Sequence, residues 1–262
     1  DDDLPRISHY DPVQHHLVYA YHDGAAWQRE VVDEAGDVGQ YTSLAVRGSY
    51  LQVSYYDVTD GDLMIATPGK GGWFTETVDG GGDDVGIGSS LQIDGKGHAH
   101  ISYVDQTNLD LKYARYDGKT WVIDTVEGKD VDVGGYTSLV LVGDQPHIAY
   151  TVRDTSIPPT YRLKYAVLTG GSWSKETVDS AGSTGLHPSI ALDAAGRPHI
   201  TYYDDSNSRL RYAVGLPPCT EPVTGVSVQG PATVLSGTTA VFTATASPSS
   251  ATLPVTFLWE AA

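Results

Sequence analysis

Apolar and polar positions alternate with a period of two along most of this chain, in short runs interrupted by Gly, Asp, Asn and Pro. The stretch from His187 to Asp204, HPSIALDAAGRPHITYYD, shows the unit cleanly. Two alternating runs are joined by a glycine turn, the second ends in Tyr-Tyr-Asp, and a third run, Leu-x-Tyr-Ala, follows at Leu210 to Ala213. Such alternation predicts half-buried antiparallel strands, and no long stretch shows the 3.6-residue apolar period of a helix.

The unit recurs. Trp27, Trp73, Trp121 and Trp173 stand 46, 48 and 52 residues apart, and each opens a similar run: WQREVVD, WFTETVD, WVIDTVE and WSKETVD. Before them come LVYA, LMIA, LKYA and LKYA, and LRYA closes the series. The segments ISHYD, VSYYD, ISYVD, IAYTVRD and ITYYD keep the same place in each copy. Four short strands in a repeat of about 40–50 residues predict an all-β fold, a β-propeller of four-stranded blades with about five blades visible.

In chain order, residues 1–215 form the expected propeller, starting in mid-blade and lacking a fourth strand in the last copy. Either VTGVSV (Val223 to Val228) supplies that outer strand, or the natural protein carries further blades upstream. The Pro-rich segment 216–222 reads as a linker, since proline cannot continue a sheet ladder. Residues 223–262 are nearly uncharged and rich in Val, Thr and Ala, and their span is under half of what a sandwich domain needs. The natural protein is expected to continue beyond it.

Composition narrows the function classes. The 262 residues include 29 Gly and 17 Tyr, which suits turns and strands. One cysteine, Cys219, excludes an internal disulfide and Cys-rich metal motifs. There is no apolar run near 18 residues, so no membrane-spanning helix is predicted. The formal net charge of −17 gathers, under blade topology, in the loops before the inner strand and between the second and third strands. Such a face repels anions, so nucleic acid is not an expected partner.

Several residues are candidates for chemistry. DVTDGD and DQTNLD place Asp57, Asp60 and Asp62, and Asp105, Asn108 and Asp110, at spacings that suit Ca²⁺ in irregular coordination. The simpler reading is hairpin turns in which Asp and Asn satisfy their own backbone. Tyr41, Gly88, Tyr136 and His187 align just before the inner strand and should ring the channel mouth, where aromatic faces with nearby carboxylates suit a sugar; filling the channel is the competing reading. His100, His147 and His199, and the serines Ser43, Ser90 and Ser138, recur one per blade, which argues for packing rather than a metal site or a nucleophile.

The propeller repeat resembles extracellular bacterial proteins of the sialidase-like, Asp-box group. The nearest match to that box is Asp117-Gly118-Lys119-Thr120-Trp121, shared by Asp23-Gly24-Ala25-Ala26-Trp27, with the Asp one residue closer to Trp than in the family pattern. The segment from Val223, with its Gly-Pro entry, VFTATASP and FLWEA, resembles the opening of a bacterial Ig-like or PKD-type domain. These resemblances imply a secreted or cell-surface bacterial protein. The sialidase arginines, Tyr–Glu pair and acid Asp find no counterparts. The expected role is therefore a non-catalytic binding or display module, with glycans or other surface proteins as partners. One alternative is a polysaccharide-active hydrolase or lyase using carboxylates such as Asp57 and Asp105; another is a surface-layer or filament subunit. Departures from the repeat are few, chiefly Arg153 and the insertion from Thr155 to Arg162.

Overall fold

A computed structural model describes residues 4–128, 131–215, 221–222, 225–229, 243–247, 251–252 and 259–261. The first sheet holds β1 (Arg6–Asp11), β2 (His16–His22) and β3 (Trp27–Asp33). Next comes β4 (Val38–Arg47), β5 (Tyr50–Asp57), β6 (Asp62–Gly69) and β7 (Gly72–Asp79). The third comprises β8 (Val85–Ile93), β9 (Ala99–Asp105), β10 (Asp110–Tyr116) and β11 (Trp121–Glu127), and the fourth β12 (Asp132–Val142), β13 (Gln145–Arg153), β14 (Tyr161–Thr169) and β15 (Ser172–Asp179). In the fifth are β16 (Thr184–Leu192), β17 (Pro198–Asp204) and β18 (Arg209–Gly215). Every neighbouring pair within these sheets is antiparallel, and the arrangement is propeller-like.

Farther along lie β19 (Glu221–Pro222), β20 (Gly225–Gln229), β21 (Thr243–Ser247), β22 (Ala251–Thr252) and β23 (Trp259–Ala261). Of the two readings of the fifth sheet's open edge, completion by VTGVSV does not hold. β20 pairs with β21, and the edge of β18 is taken by β23, Gly215 opposite Trp259. Strand addition needs only free backbone groups, so the side-chain pattern could not name the occupant. The linker and most of the Ig-like segment lie outside the described residues.

Sheets meet face to face through the repeated residues. Leu63, Ile65 and Val78 of the second pack on Val85, Leu91, Ile101, Tyr103 and Ala114 of the third, with Trp121 at the edge. Leu163 and Tyr165 of the fourth meet Ile190, Ile200, Tyr202 and Ala213 of the fifth in the same way. In the second, third and fifth sheets a glycine near the start of the inner strand lies where the preceding sheet comes close. A Cβ on Gly86, at φ +111°, would lie 2.9 Å from the Leu63 Cα, and one on Gly185 would be 2.5 Å from the Leu163 nitrogen. No L-residue fits there.

Each junction is also cross-linked by polar groups. The serines of one inner strand accept the next strand's backbone N–H groups: Leu91 to Ser43 and Leu139 to Ser90 at 3.0 Å, and Ile190 to Ser138 at 3.1 Å. Farther out, a buried tyrosine reaches back to the carboxylate that ends the preceding sheet. Tyr55 donates to Asp33, Tyr103 to Asp79, Tyr150 to Glu127 and Tyr202 to Asp179, at 2.5 to 2.9 Å. A cation on the third strand joins three of these four contacts. Lys112 lies 2.8 Å from Asp79, Lys164 pairs with Glu127, and Arg211 lies 2.6 Å from Asp179. Burial pushes every one of these tyrosines upward in pKa, the neighbouring carboxylate adding to it, so the phenols remain donors.

The histidines are packing groups, as the repeat implied. His100, His147 and His199 share hydrogen bonds through Nδ1 with Tyr113, Tyr165 and Tyr212 on the adjoining strand. Burial lowers His147 to about 4, so it is neutral at physiological pH. In the second sheet both partners change together, to Gln52 and Ile65; Ile65 joins the apolar core, and the Gln52 side-chain oxygen is buried without a hydrogen-bond partner among the described residues.

That sheet also breaks the cation pattern: Met64 occupies the place of Lys112, Lys164 and Arg211. Asp57 is buried there, and desolvation raises its pKa, with repulsion from Asp60 and Asp33 adding to it. A carboxyl with a raised folded pKa contributes stability at acidic pH and loses it as pH rises through that folded value. Met64→Lys should therefore stabilise the protein by about 1 kcal/mol, raising Tm by roughly 2–4 °C. The gain should grow as pH climbs through the carboxylate range; a Tm that falls, or a gain that shrinks with rising pH, would show that this junction does not want a cation.

Candidate functional site

The aligned residues before the inner strands do come together. Each inner strand carries β-bulges at this point, between Val38 and Ser43 in the second sheet and between Val85 and Ser90 in the third. The fourth is irregular between Val133 and Thr137, and the fifth between Thr184 and Ser189. A bulge re-aims the side chain it carries. Tyr41, Tyr136 and His187, with Gly88 and Pro188, line one open cavity of about 260 Å³. The Tyr136 and His187 rings lie 4.1 Å apart at 54°, and Tyr41 lies 6.2 Å from Tyr56.

Two of these residues are held against their own preference. Tyr41 and His187 both have φ of +50°, a region that glycine enters freely and that costs other residues about 1 kcal/mol or more. Gly88, in the equivalent position, has φ +61°.

A second cavity of about 230 Å³ adjoins the first, sharing Tyr41 and Tyr136 and adding Gln106, Asp132, Arg153 and Tyr161. Its origin is a departure from the repeat. At the first two junctions a tyrosine of one sheet holds a carboxylate of the next, Tyr10 to Asp37 at 2.8 Å and Tyr56 to Asp84 at 2.7 Å. At the third junction the aligned residue is Val104, and Arg153 of the same sheet takes Asp132 instead, Nε to Oδ2 at 2.7 Å. Arg153 stands just before the insertion that breaks the repeat and Tyr161 lies within it, and both line this cavity. The sequence showed Arg153 and the insertion as departures; Asp132 and Gln106 were not singled out.

The acidic turns mostly serve their own backbone. Asp57 Oδ1 accepts the N–H groups of Thr59 at 2.8 Å and Asp60 at 3.3 Å. Asp105 accepts Asn108 through both backbone and side chain and lies 3.4 Å from Lys112. Asp62 and Asp110 face Gly80 and Gly128. Among the described residues no three His, Cys, Asp or Glu side chains gather where they could hold a metal ion. Asp57 and Asp105 are both buried, away from the cavities described above, and so do not form the catalytic pair suggested by their sequence positions. Asp117 and Asp23 likewise cap their own turns, Asp117 accepting Lys119 and Thr120 N–H at 2.8 and 2.9 Å.

No family model and no curated protein sequence matches the chain. Solved structures do. AofleA from Arthrobotrys oligospora aligns with a TM-score of 0.53 at 15% identity over 80% of this chain and 64% of its own. A leech intramolecular trans-sialidase gives 0.47 at 16% over 71% and 33%, so the chain spans about a third of that enzyme. An α-L-arabinanase from Cellvibrio cellulosa gives 0.44 at 12% over 82% and 89%. At such identities the likeness shows fold. The expected non-catalytic binding or display role is corrected by these comparisons.

Two outcomes follow. Tyr41→Gly relieves about 1 kcal/mol of strain from the positive φ while giving the unfolded chain about 0.4–1 kcal/mol of extra freedom, so Tm should hold or rise by no more than about 2 °C; a clear fall would mean that ring packing outweighs backbone strain. Melting with and without EDTA should coincide, since the loop carboxylates are occupied by N–H groups. A drop in EDTA would reveal a structural cation.

Proposed function

We propose that the chain is the propeller-like part of a glycan-acting protein of the glycoside hydrolase type, with its substrate site at the mouth formed by Tyr41, Tyr136, His187, Asp132 and Arg153. The observation that carries this reading is the placement of Arg153, Asp132 and Tyr161, where the repeat is broken, on a wall shared with Tyr136 and the strained Tyr41. Aromatic faces suit the C–H faces of a pyranose, and a few convergent polar groups fix its orientation. Asp132 supplies the carboxylate, oriented by the Arg153 guanidinium. Glycoside hydrolysis takes a second carboxyl some 5 to 10 Å away. Asp84 is the candidate: its side chain accepts Tyr56, and its backbone carbonyl accepts the N–H of Gln106, which lines the cavity. Secretion or cell-surface location, the Ig-like identity of residues 223–262 and closure of the sheets into a full ring belong to the same proposal.

The test is release of reducing ends from a panel of neutral and acidic polysaccharides. Asp132→Asn should lower turnover on the order of 10²–10⁴-fold with Tm preserved. Absence of cleavage across the panel, or full activity in Asp132→Asn, would remove the assignment.

A further inference from the structure

At the opposite end of the sheets from the acidic turns, the first junction contains a cleft of about 460 Å³ between β1–β3 and β5–β7. Its wall is an aromatic stack. Tyr19 and Tyr21 lie 5.5 Å apart and within 24° of parallel, and Trp73 meets Tyr19 edge-on at 5.2 Å. The Trp73 indole donates to Glu30 at 3.0 Å, which fixes both the ring and the carboxylate at the rim. Arg6 enters from β1, its guanidinium braced on the Leu4 carbonyl at 3.0 Å, and Asp23 closes the mouth.

The residues that make this cleft are departures from the repeat. The position of Tyr21 is Thr67, Arg115 and Val167 in the next three sheets, and that of Arg6 is Gln52, His100 and His147. The Trp–Glu contact is common to the repeat, since Trp121 donates to Glu76 at 3.1 Å. The repeat thus builds the frame, and the first sheet adds a stacking face and a forked donor to it.

We infer that this cleft is a second carbohydrate subsite, taking one neutral pyranose unit of a glycan on the Tyr21 and Trp73 faces, with Glu30 and Arg6 holding adjacent hydroxyls. The cleft falls in the size range of small-ligand pockets. Tyrosine and tryptophan offer rigid apolar faces at little entropic cost. A carboxylate accepts from two hydroxyls while a guanidinium donates to their oxygens. Two rim carboxylates, Glu30 and Asp23, against one arginine disfavour an anionic sugar. The inference rests on the proposed glycan-acting role for its ligand class only; the site itself lies away from Asp132 and needs no turnover to be observed.

Binding of neutral oligosaccharides to the full chain is read from the Trp73 indole N–H resonance, assigned by its loss in Trp73→Phe. Neutral oligosaccharides should shift that resonance saturably, while sialylated or uronic oligosaccharides should not. Tyr21→Thr and Arg6→Gln borrow the residues found in the next sheet, so the fold should survive. The first should weaken binding by about tenfold or more and the second by several-fold. An unmoved indole resonance across the neutral panel, or unchanged affinity in a folded Tyr21→Thr variant, overturns the subsite. Because Asp132→Asn leaves this cleft intact, loss of turnover with retained binding separates failure at the mouth from failure here.

Discussion

The contact on which the molecule depends is the one between a buried tyrosine and the carboxylate ending the sheet before it. Packed sheets without such a contact could slide, because leucine and alanine faces are not directional. Tyr103 on Asp79 and Tyr150 on Glu127 give each junction a fixed depth, and Lys112 and Lys164 offset the cost of burying the charge. The inner-strand serines do the same near the axis. Much of the acidity that looks like a surface property is therefore internal. Asp79, Glu127, Asp179 and Asp204 are structural anions with named partners.

Where this pattern lapses, the structure changes character. Met64 leaves Asp33 and Asp57 without the usual cation, and the second sheet also trades the His–Tyr pair for Gln52 and Ile65. At Trp173 the indole N–H is buried without a hydrogen-bond partner; the glutamate that serves Trp73 and Trp121 is replaced by Asp124, one methylene shorter. Where the aligned tyrosine is replaced by Val104, Asp132 is held by Arg153 instead. Tyr21 and Arg6 turn an ordinary junction into a cleft. A repeat protein with a uniform frame can place chemistry only in such exceptions, and here they lie at both ends of the sheets.

The repeat made the sheets, their strand order and their shared faces legible before any coordinates. The repeated Leu-x-Tyr-Ala run lies between neighbouring sheets: Leu111 and Tyr113 face one and Ala114 the other, and all three are fully buried. The repeat also aligned Tyr41, Tyr136 and His187, which line one cavity. The loop aspartates were harder to read, because a carboxylate capping its own turn and one ligating a cation share a spacing. Asp57 and Asp105 differ from Asp132 in burial and partner, and neither quantity is written in a local motif.

Period-two patterning by itself determined the all-β class, the four-stranded unit and which residues face a neighbouring sheet, because side-chain direction in a strand follows from position alone. Only the tertiary structure decided which carboxylates are consumed by tyrosines and lysines, that Arg153 turns to Asp132, and that β23 rather than β20 lies on β18. Those outcomes depend on groups from different sheets meeting across a gap whose width is set by side chains far apart in the chain.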